Sequence, residues 1–113
     1  MSSKIIIAAD QKAKRLSYQE SLEKLRPTSE FTLVKSYKEI IDSIEKENIS
    51  LIVLDQEVCD AGRHRNRREA INELKDISKN IPIIVIGTER GHAIESIIDG
   101  ADGFIPMHWL SAD

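Results

Sequence analysis

Three short apolar runs constrain the fold of this chain more than any other feature. They read IIIAA at residues 5–9, LIVL at residues 51–54 and IIVI at residues 83–86, and they do not alternate in polarity. A strand with one solvated face alternates polar and apolar residues, whereas a strand covered on both faces is apolar throughout. The runs therefore predict a parallel sheet that is buried beneath helices on both sides.

Charged segments of helical length separate these runs from each other and from two weaker strands, predicted at Phe31–Val34 and Gly103–Ile105. Apolar residues recur at helical spacing within the charged segments, as Tyr18, Leu22 and Leu25 do in the first. The predicted helices are Gln11–Leu25, Lys38–Glu47, Arg67–Ser78 and about Gly91–Asp99. This alternation of strand and helix predicts a doubly wound α/β domain with one five-stranded parallel sheet.

The length of 113 residues fits one domain, which we expect to span residues 1–113. Only Pro106, Met107 and the residues HWLSAD follow the last predicted strand, and they are too few for a further helix. A sheet wrapped on both faces needs a helix there, so the final helix is expected to be missing. Either the chain is a piece of a longer protein, or a partner covers that face of the sheet. Trp109 and Leu110 would then belong to an exposed apolar patch, or else to the ordered core at the end of the chain.

Composition and charge narrow the classes of function. Hydrophobic residues make up 41% of the chain and charged residues 31%, as in soluble globular proteins. The net charge of −3 gives no general attraction to nucleic acid or to anionic membranes. No apolar run approaches the roughly 20 residues of a membrane span. A single cysteine, Cys59, fits a reducing compartment, so we expect a cytoplasmic protein that binds neither nucleic acid nor membrane.

Two acids stand where the carboxyl ends of neighbouring strands would meet. Asp10 follows the first strand and Asp55 follows the third. Binding sites of open parallel sheets form at this edge. Two adjacent carboxylates repel each other unless a cation neutralises them, and Mg²⁺ is the natural candidate. The alternative, which the bare pattern favours, is that each acid only caps the helix that follows it.

Four segments resemble, in order and spacing, the receiver domains of two-component response regulators. They are KIIIAAD, LIVLD, IPIIVIGT and GADGFIPM, and together they span Lys4 to Met107. GADGFIP is similar to receivers attached to LuxR-type DNA-binding domains. The resemblance implies a flavodoxin-like receiver fold, a role in phosphorelay signal transduction without enzymatic activity, and a histidine kinase or downstream effector as partner. Receivers of this family often dimerise, and a dimer stays open here.

The same resemblance assigns roles to individual residues. Asp55 falls at the position that accepts a phosphoryl group, and Asp10 at one acid of the pair that holds Mg²⁺. The first acid of that pair is Ala9 here. Glu57 falls where the family offers a backbone carbonyl to the metal. The implied metal ligands are therefore Asp10, Asp55 and the carbonyl of Glu57, and the missing acid predicts weak binding of Mg²⁺.

The switch positions depart from the pattern of the family. The hydroxyl position is Gly87, with a hydroxyl only at the next residue, Thr88. The aromatic position is Phe104, and the lysine position is Met107. Losing the lysine removes a charge-assisted contact to the phosphoryl group that is typically worth ~1.5–3 kcal/mol.

These departures favour a degenerate receiver, or pseudo-receiver, that acts through protein–protein interaction. The alternative is a phosphorylatable receiver in which Asp55 accepts phosphate while Asp10 and Asp55 hold Mg²⁺. A third hypothesis, a flavodoxin-like enzyme of another kind, has no visible catalytic constellation, and no catalytic residue is predicted.

A basic segment, GRHRNRRE at residues 62–69, follows the third strand. Arginine near the start of a helix opposes the helix dipole, so helix stability does not explain the cluster. One interpretation is a docking patch for an acidic partner or a phosphate-bearing ligand. The commoner alternative is a solvated loop. The patch would consist of Arg63, Arg65, Arg67 and Arg68.

Overall fold

The computed structural model describes residues 4–58, 67–78, 80–88, 95 and 97–107. Five strands form one sheet in the order β2-β1-β3-β4-β5, and every neighbouring pair is parallel. The elements are β1 (Lys4–Ala8), α1 (Lys12–Leu25), β2 (Glu30–Val34), α2 (Tyr37–Lys46), β3 (Leu51–Asp55), α3 (Arg67–Ile77), β4 (Ile83–Gly87) and β5 (Gly103–Pro106).

The two faces of the sheet carry separate hydrophobic cores, and alternate residues of a strand enter them in turn. In β1, Ile6 and Ala8 pack into the core that contains buried residues of α2 and α3. Ile5 and Ile7 pack into the core that contains the buried residues of α1. Because helices cover both faces, the strand has no solvated side, and the predicted doubly wound, flavodoxin-like α/β fold is confirmed.

Helical periodicity predicted the helices better than it predicted burial. In α1, Tyr18 and Leu22 are buried, but Leu25, expected on the same face, is 71% exposed. In the fourth predicted helix, Glu95, Ile97 and Ile98 are helical, and the rest of that segment up to Ile98 lies outside the described residues. The two isoleucines are 51% and 64% exposed, so this segment presents apolar side chains to solvent.

Local signals in the sequence set the start of α2. The hydroxyl of Ser36 accepts a hydrogen bond from the backbone N–H of Glu39, as an N-cap residue does. The carboxylate of Glu39 in turn accepts from the backbone N–H of Lys35. The hydroxyl of Ser36 thus satisfies an N–H group that the first turn of a helix leaves without a partner, and Glu39 ties the residue before the cap to that turn.

The entry into β5 is held by polar contacts with its neighbours. Gly100 has φ +111°, a backbone conformation that strongly favours glycine. Two residues later, the carboxylate of Asp102 accepts from the backbone N–H of Ile83 at 2.8 Å and pairs with Lys75. Burial raises the pKa of Asp102, but the hydrogen bonds from Lys75 and Ile83 outweigh it and lower the pKa overall. These contacts fix the start of β5 against β4.

Several sequence-based expectations lie outside the described residues. They concern Arg63, Arg65, Trp109, Leu110 and the missing final helix. Within the ranges that the structure does describe, no helix is both long enough and apolar enough to cross a membrane.

Candidate functional site

Asp55, the last residue of β3, is fully buried, and both of its carboxylate oxygens have partners within the chain. Oδ2 accepts a hydrogen bond of 2.6 Å from the hydroxyl of Tyr18. Oδ1 accepts one of 2.9 Å from the backbone N–H of Glu57 and lies 3.6 Å from Nζ of Lys14. The side chain at the predicted phosphoryl-acceptor position is therefore enclosed by contacts from α1 and from its own loop.

The alternation of β3 explains why Asp55 meets α1. Residues two apart on a strand point to the same face, so Asp55 shares the face of Val53. Val53 packs in the core that contains Tyr18 and Leu22. Lys14 and Tyr18 are one helical turn apart on α1 and lie on the same side of that helix. The fold thus brings an ammonium and a phenol to the buried carboxylate.

Lys14 joins the two acids that the sequence singled out. Its Nζ lies 3.6 Å from Oδ1 of Asp10 and 3.6 Å from Oδ1 of Asp55. The side chain of Lys14 is 22% exposed, whereas that of Asp10 is 48% exposed. The structure therefore brings Asp10 and Asp55 to one cation, and this cation belongs to the chain itself.

Lys14 stands between the two carboxylates that were predicted to hold Mg²⁺. Mg²⁺ needs near-octahedral oxygen coordination, usually from one or two carboxylates, waters and phosphate. Here the ammonium of Lys14 lies 3.6 Å from an oxygen of each carboxylate, and the backbone N–H of Glu57 donates to Asp55. Among the described residues, no group of three or more His, Cys, Asp or Glu side chains is placed to hold a metal ion.

A second cation lies at the end of β1. The guanidinium of Arg15 donates a hydrogen bond of 2.7 Å to the backbone carbonyl of Ala9. Ala9 stands where the resemblance puts the first acid of the metal-binding pair, and it is buried in the core against α1. The strand end therefore presents an apolar side chain and a carbonyl that already has a cationic partner.

Tyr18 is held in its neutral form. Burial raises its pKa above the ordinary value, and the hydrogen bond to Asp55 and the negative charges of Asp55 and Asp10 raise it further. A phenolate in contact with a buried carboxylate would lose the hydrogen bond and gain repulsion. Tyr18 in its neutral form therefore donates a hydrogen bond to Asp55.

We expect the substitution Tyr18→Phe to change how stability depends on alkaline pH. In the unfolded chain a tyrosine loses its proton around the ordinary pKa of 10.0, whereas the folded protein keeps the proton on Tyr18. This contribution to stability is therefore present below pH of about 10 and is lost as the pH rises from there toward the raised pKa of the folded state. Urea unfolding over the alkaline range should show a steeper loss of stability in the wild type than in the variant. Equal slopes would contradict the prediction.

Two side chains fill the space beside Gly87, the predicted hydroxyl position. A Cβ atom there would lie 2.3 Å from Oε1 of Gln56 and 2.9 Å from Cε2 of Phe104. Nε2 of Gln56 donates to the hydroxyl of Thr88 over 3.4 Å, while its Oε1 is buried and accepts no hydrogen bond from the described residues. The carboxamide and the ring thus occupy the place of a side chain at this position.

Met107, at the predicted lysine position, is half-buried and packs against the core that includes Tyr18. It lines a depression of about 240 Å³ together with Lys14 and Tyr18. An apolar side chain here supports the ring of Tyr18 and brings no charge to Asp55.

The predicted docking patch is only partly described. Nε of Arg68 lies 3.4 Å from Oδ1 of Asp99, so this arginine joins α3 to the segment before β5. Arg67 is the first residue of α3.

Lys14, Tyr18 and Gln56 belong to this site but were not predicted from the sequence. For Lys14 a signal was available. It stands four residues after Asp10, and the first turn of α1 carries no acid although a helix start favours acids. For Tyr18 and Gln56 the sequence offers no comparable signal, since their contacts depend on how β3 and β4 lie against α1 and β5.

Solved structures with this fold include several receiver domains. The CheY-like receiver domain protein of Methanospirillum hungatei JF-1 is 20% identical, with a TM-score of 0.72 over 94% of this chain and 82% of that one. The chemotaxis response regulator CheY4 of Vibrio cholerae is 17% identical, with a TM-score of 0.74 over 97% and 93%. These likenesses show that the chain has the receiver fold.

A further match is a chain of the co-crystal of the Saccharomyces cerevisiae histidine phosphotransfer signaling protein Ypd1 with the receiver domain of its downstream response regulator Ssk1. It is 13% identical, with a TM-score of 0.73 over 93% of this chain and 78% of that one. No curated protein matches the chain.

One family model matches the sequence, from residue 5 to residue 97, which takes in β1 to β4 and most of the chain. Its description is bacterial TniB protein. The chain has the receiver fold and belongs to the family of bacterial TniB proteins.

Proposed function

We propose that this protein is a receiver-like signalling module that acts by binding another protein, independently of phosphorylation and without enzymatic activity. The observation that carries the proposal is the state of Asp55. Its side chain is fully buried, and Tyr18, Glu57 and Lys14 engage its two oxygens.

A carboxylate can attack a phosphoryl donor only through an oxygen that the donor reaches in line. Hydrogen bonds and an ion pair on both oxygens of Asp55 lower their nucleophilicity and block their approach to phosphorus. The phosphoryl group also brings negative charge that metal and cation must neutralise. Met107 and Gly87 supply neither an ammonium nor a hydroxyl for that purpose.

Binding to another protein does not require a nucleophilic carboxylate at Asp55. A structural neighbour of this chain comes from a complex between the phosphotransfer protein Ypd1 and the receiver domain of Ssk1. A partner of the signalling class, either a histidine kinase or a downstream effector, is consistent with this fold. We propose a partner of this class, with a second copy of the chain as the alternative partner.

A phosphorylatable receiver is the second candidate, because one observation favours it. Asp10 and Asp55 converge on the same cation, as the metal-binding and acceptor acids of a working receiver would. In that case Mg²⁺ would have to displace Lys14, and Tyr18 would have to release Oδ2 of Asp55.

Incubation with Mg²⁺ and acetyl phosphate, and separately with a beryllofluoride mimic, tests the proposal. We expect an unchanged intact mass and an unchanged amide NMR spectrum, because the oxygens of Asp55 are engaged. A receiver known to be phosphorylated under the same conditions serves as the positive control. A phosphoryl adduct on the wild type that is absent from Asp55→Asn would overturn the proposal and establish the second candidate.

A further inference from the structure

We infer that Lys14 is a built-in cation that takes the place of a divalent metal ion between Asp10 and Asp55. The inference rests on the proposed phosphate-independent function and deepens it, because it states what holds the acid pair together when no metal takes part.

The position of the Lys14 ammonium between the two acids supports this inference. Nζ of Lys14 lies at the same distance, 3.6 Å, from one carboxylate oxygen of each acid. Asp55 is fully buried, and an ionised carboxylate in that place needs a partner of opposite charge. Lys14 provides this charge for Asp55 and for Asp10 at once, and its side chain is only 22% exposed.

The place of Lys14 in the sequence also supports the inference. It lies near the amino end of α1, where the helix dipole disfavours positive charge, and the first turn has no acid to offset it. The ion pairs with Asp10 and Asp55 offset the unfavourable interaction of Lys14 with the helix dipole. A lysine at this end of the helix without such ion pairs would have no comparable stabilisation.

The net charge at this edge of the sheet disfavours a further cation. Two carboxylates, Asp10 and Asp55, face two cations, because Arg15 also binds the carbonyl at the end of β1. A divalent ion placed between the carboxylates would add two charges beside an ammonium, next to the fully buried side chain of Asp55. Repulsion of this kind is strong where burial lowers the local dielectric.

The test is a metal titration without any phosphoryl donor. Mn²⁺ binding is followed by electron paramagnetic resonance, and Mg²⁺ binding by the amide shifts of Asp10 and Asp55. In the wild type we expect no saturable binding at millimolar metal. In Lys14→Ala we expect Mn²⁺ to bind tighter by about tenfold or more, because a competing positive charge is gone. Lys12→Ala removes an exposed lysine from the same turn and should resemble the wild type.

A double variant identifies the ligands. Lys14→Ala combined with Asp10→Asn should lose the gained affinity, because one of the two carboxylates is neutral. If Lys14→Ala does not fold, Lys14→Gln keeps most of the side chain and should also gain Mn²⁺ affinity, whereas Lys14→Arg keeps the charge and should not.

Two results would overturn the inference. One is saturable binding of Mg²⁺ by the wild type with shifts at Asp10 and Asp55. The other is a folded Lys14→Ala or Lys14→Gln variant that gains no affinity. Neither result involves an adduct on Asp55, so the inference and the proposed function fail through different observations.

Discussion

Replacing Asp55 with alanine is expected to lower the free energy of unfolding by about 3 kcal/mol or more. The substitution removes the acceptor from the hydroxyl of Tyr18 and from the N–H of Glu57, and it leaves Lys14 with Asp10 alone. In the unfolded chain both N–H and hydroxyl groups form hydrogen bonds with water. In the folded variant the hydroxyl of Tyr18 and the N–H of Glu57 would lack these partners, which lowers the free energy of unfolding. Urea unfolding at neutral pH measures the loss.

Asp10→Ala is the matched control for this prediction. The side chain of Asp10 is 48% exposed and pairs with the same ammonium, so its removal should cost less than about 1 kcal/mol. Asp55→Asn keeps an acceptor of the same shape and should fall between the two. Equally small losses of stability in the two alanine variants would show that the contacts of Asp55 do not stabilise the fold, and would contradict the prediction.

Gly87→Ala is expected to lower the free energy of unfolding by about 1–3 kcal/mol, the usual cost of overpacking. Gly87 has no positive φ, so its backbone accepts alanine, and replacing glycine in a strand would otherwise be neutral or stabilising. The cost comes from space. The new methyl group would lie 2.9 Å and 3.0 Å from two carbons of the Phe104 ring.

A double-mutant cycle with Phe104→Leu tests the reason for the loss. The smaller side chain should relieve most of the clash, so Gly87→Ala should cost clearly less in the Phe104→Leu background than in the wild type. Gln56→Ala should relieve less, because the end of the glutamine side chain can move aside. Additive effects of Gly87→Ala and Phe104→Leu would show that the ring does not determine the cost.

The strands and the parallel, doubly wound sheet were predictable because they rest on simple physical patterns. Continuous apolar runs indicate strands buried on both faces, and the structure has them in β1, β3 and β4. The helix pattern was less informative, since Leu25 and Ile98 have helical spacing but are exposed. Periodicity reports which residues share a face, while burial depends on whether another element covers that face.

The site was predictable only in its outline. The ends of the predicted strands identified Asp10 and Asp55. The resemblance to receivers predicted the fold, which the structural neighbours share. The contact from Tyr18 to Asp55 spans 37 residues and depends on the packing of α1 against β3, which no local pattern encodes. The motifs on which the prediction rested did not indicate the family of bacterial TniB proteins.

The packing around Gly87 has a consequence for how this protein can change by mutation. Gln56 and Phe104 occupy the volume that a hydroxyl-bearing side chain would need, so a single substitution toward serine or threonine meets a clash before it brings any benefit. If the protein acts independently of phosphorylation, as proposed above, a change to a phosphorylated switch would also require that Tyr18 release Asp55. Single substitutions in that direction would then lower stability before they bring any benefit.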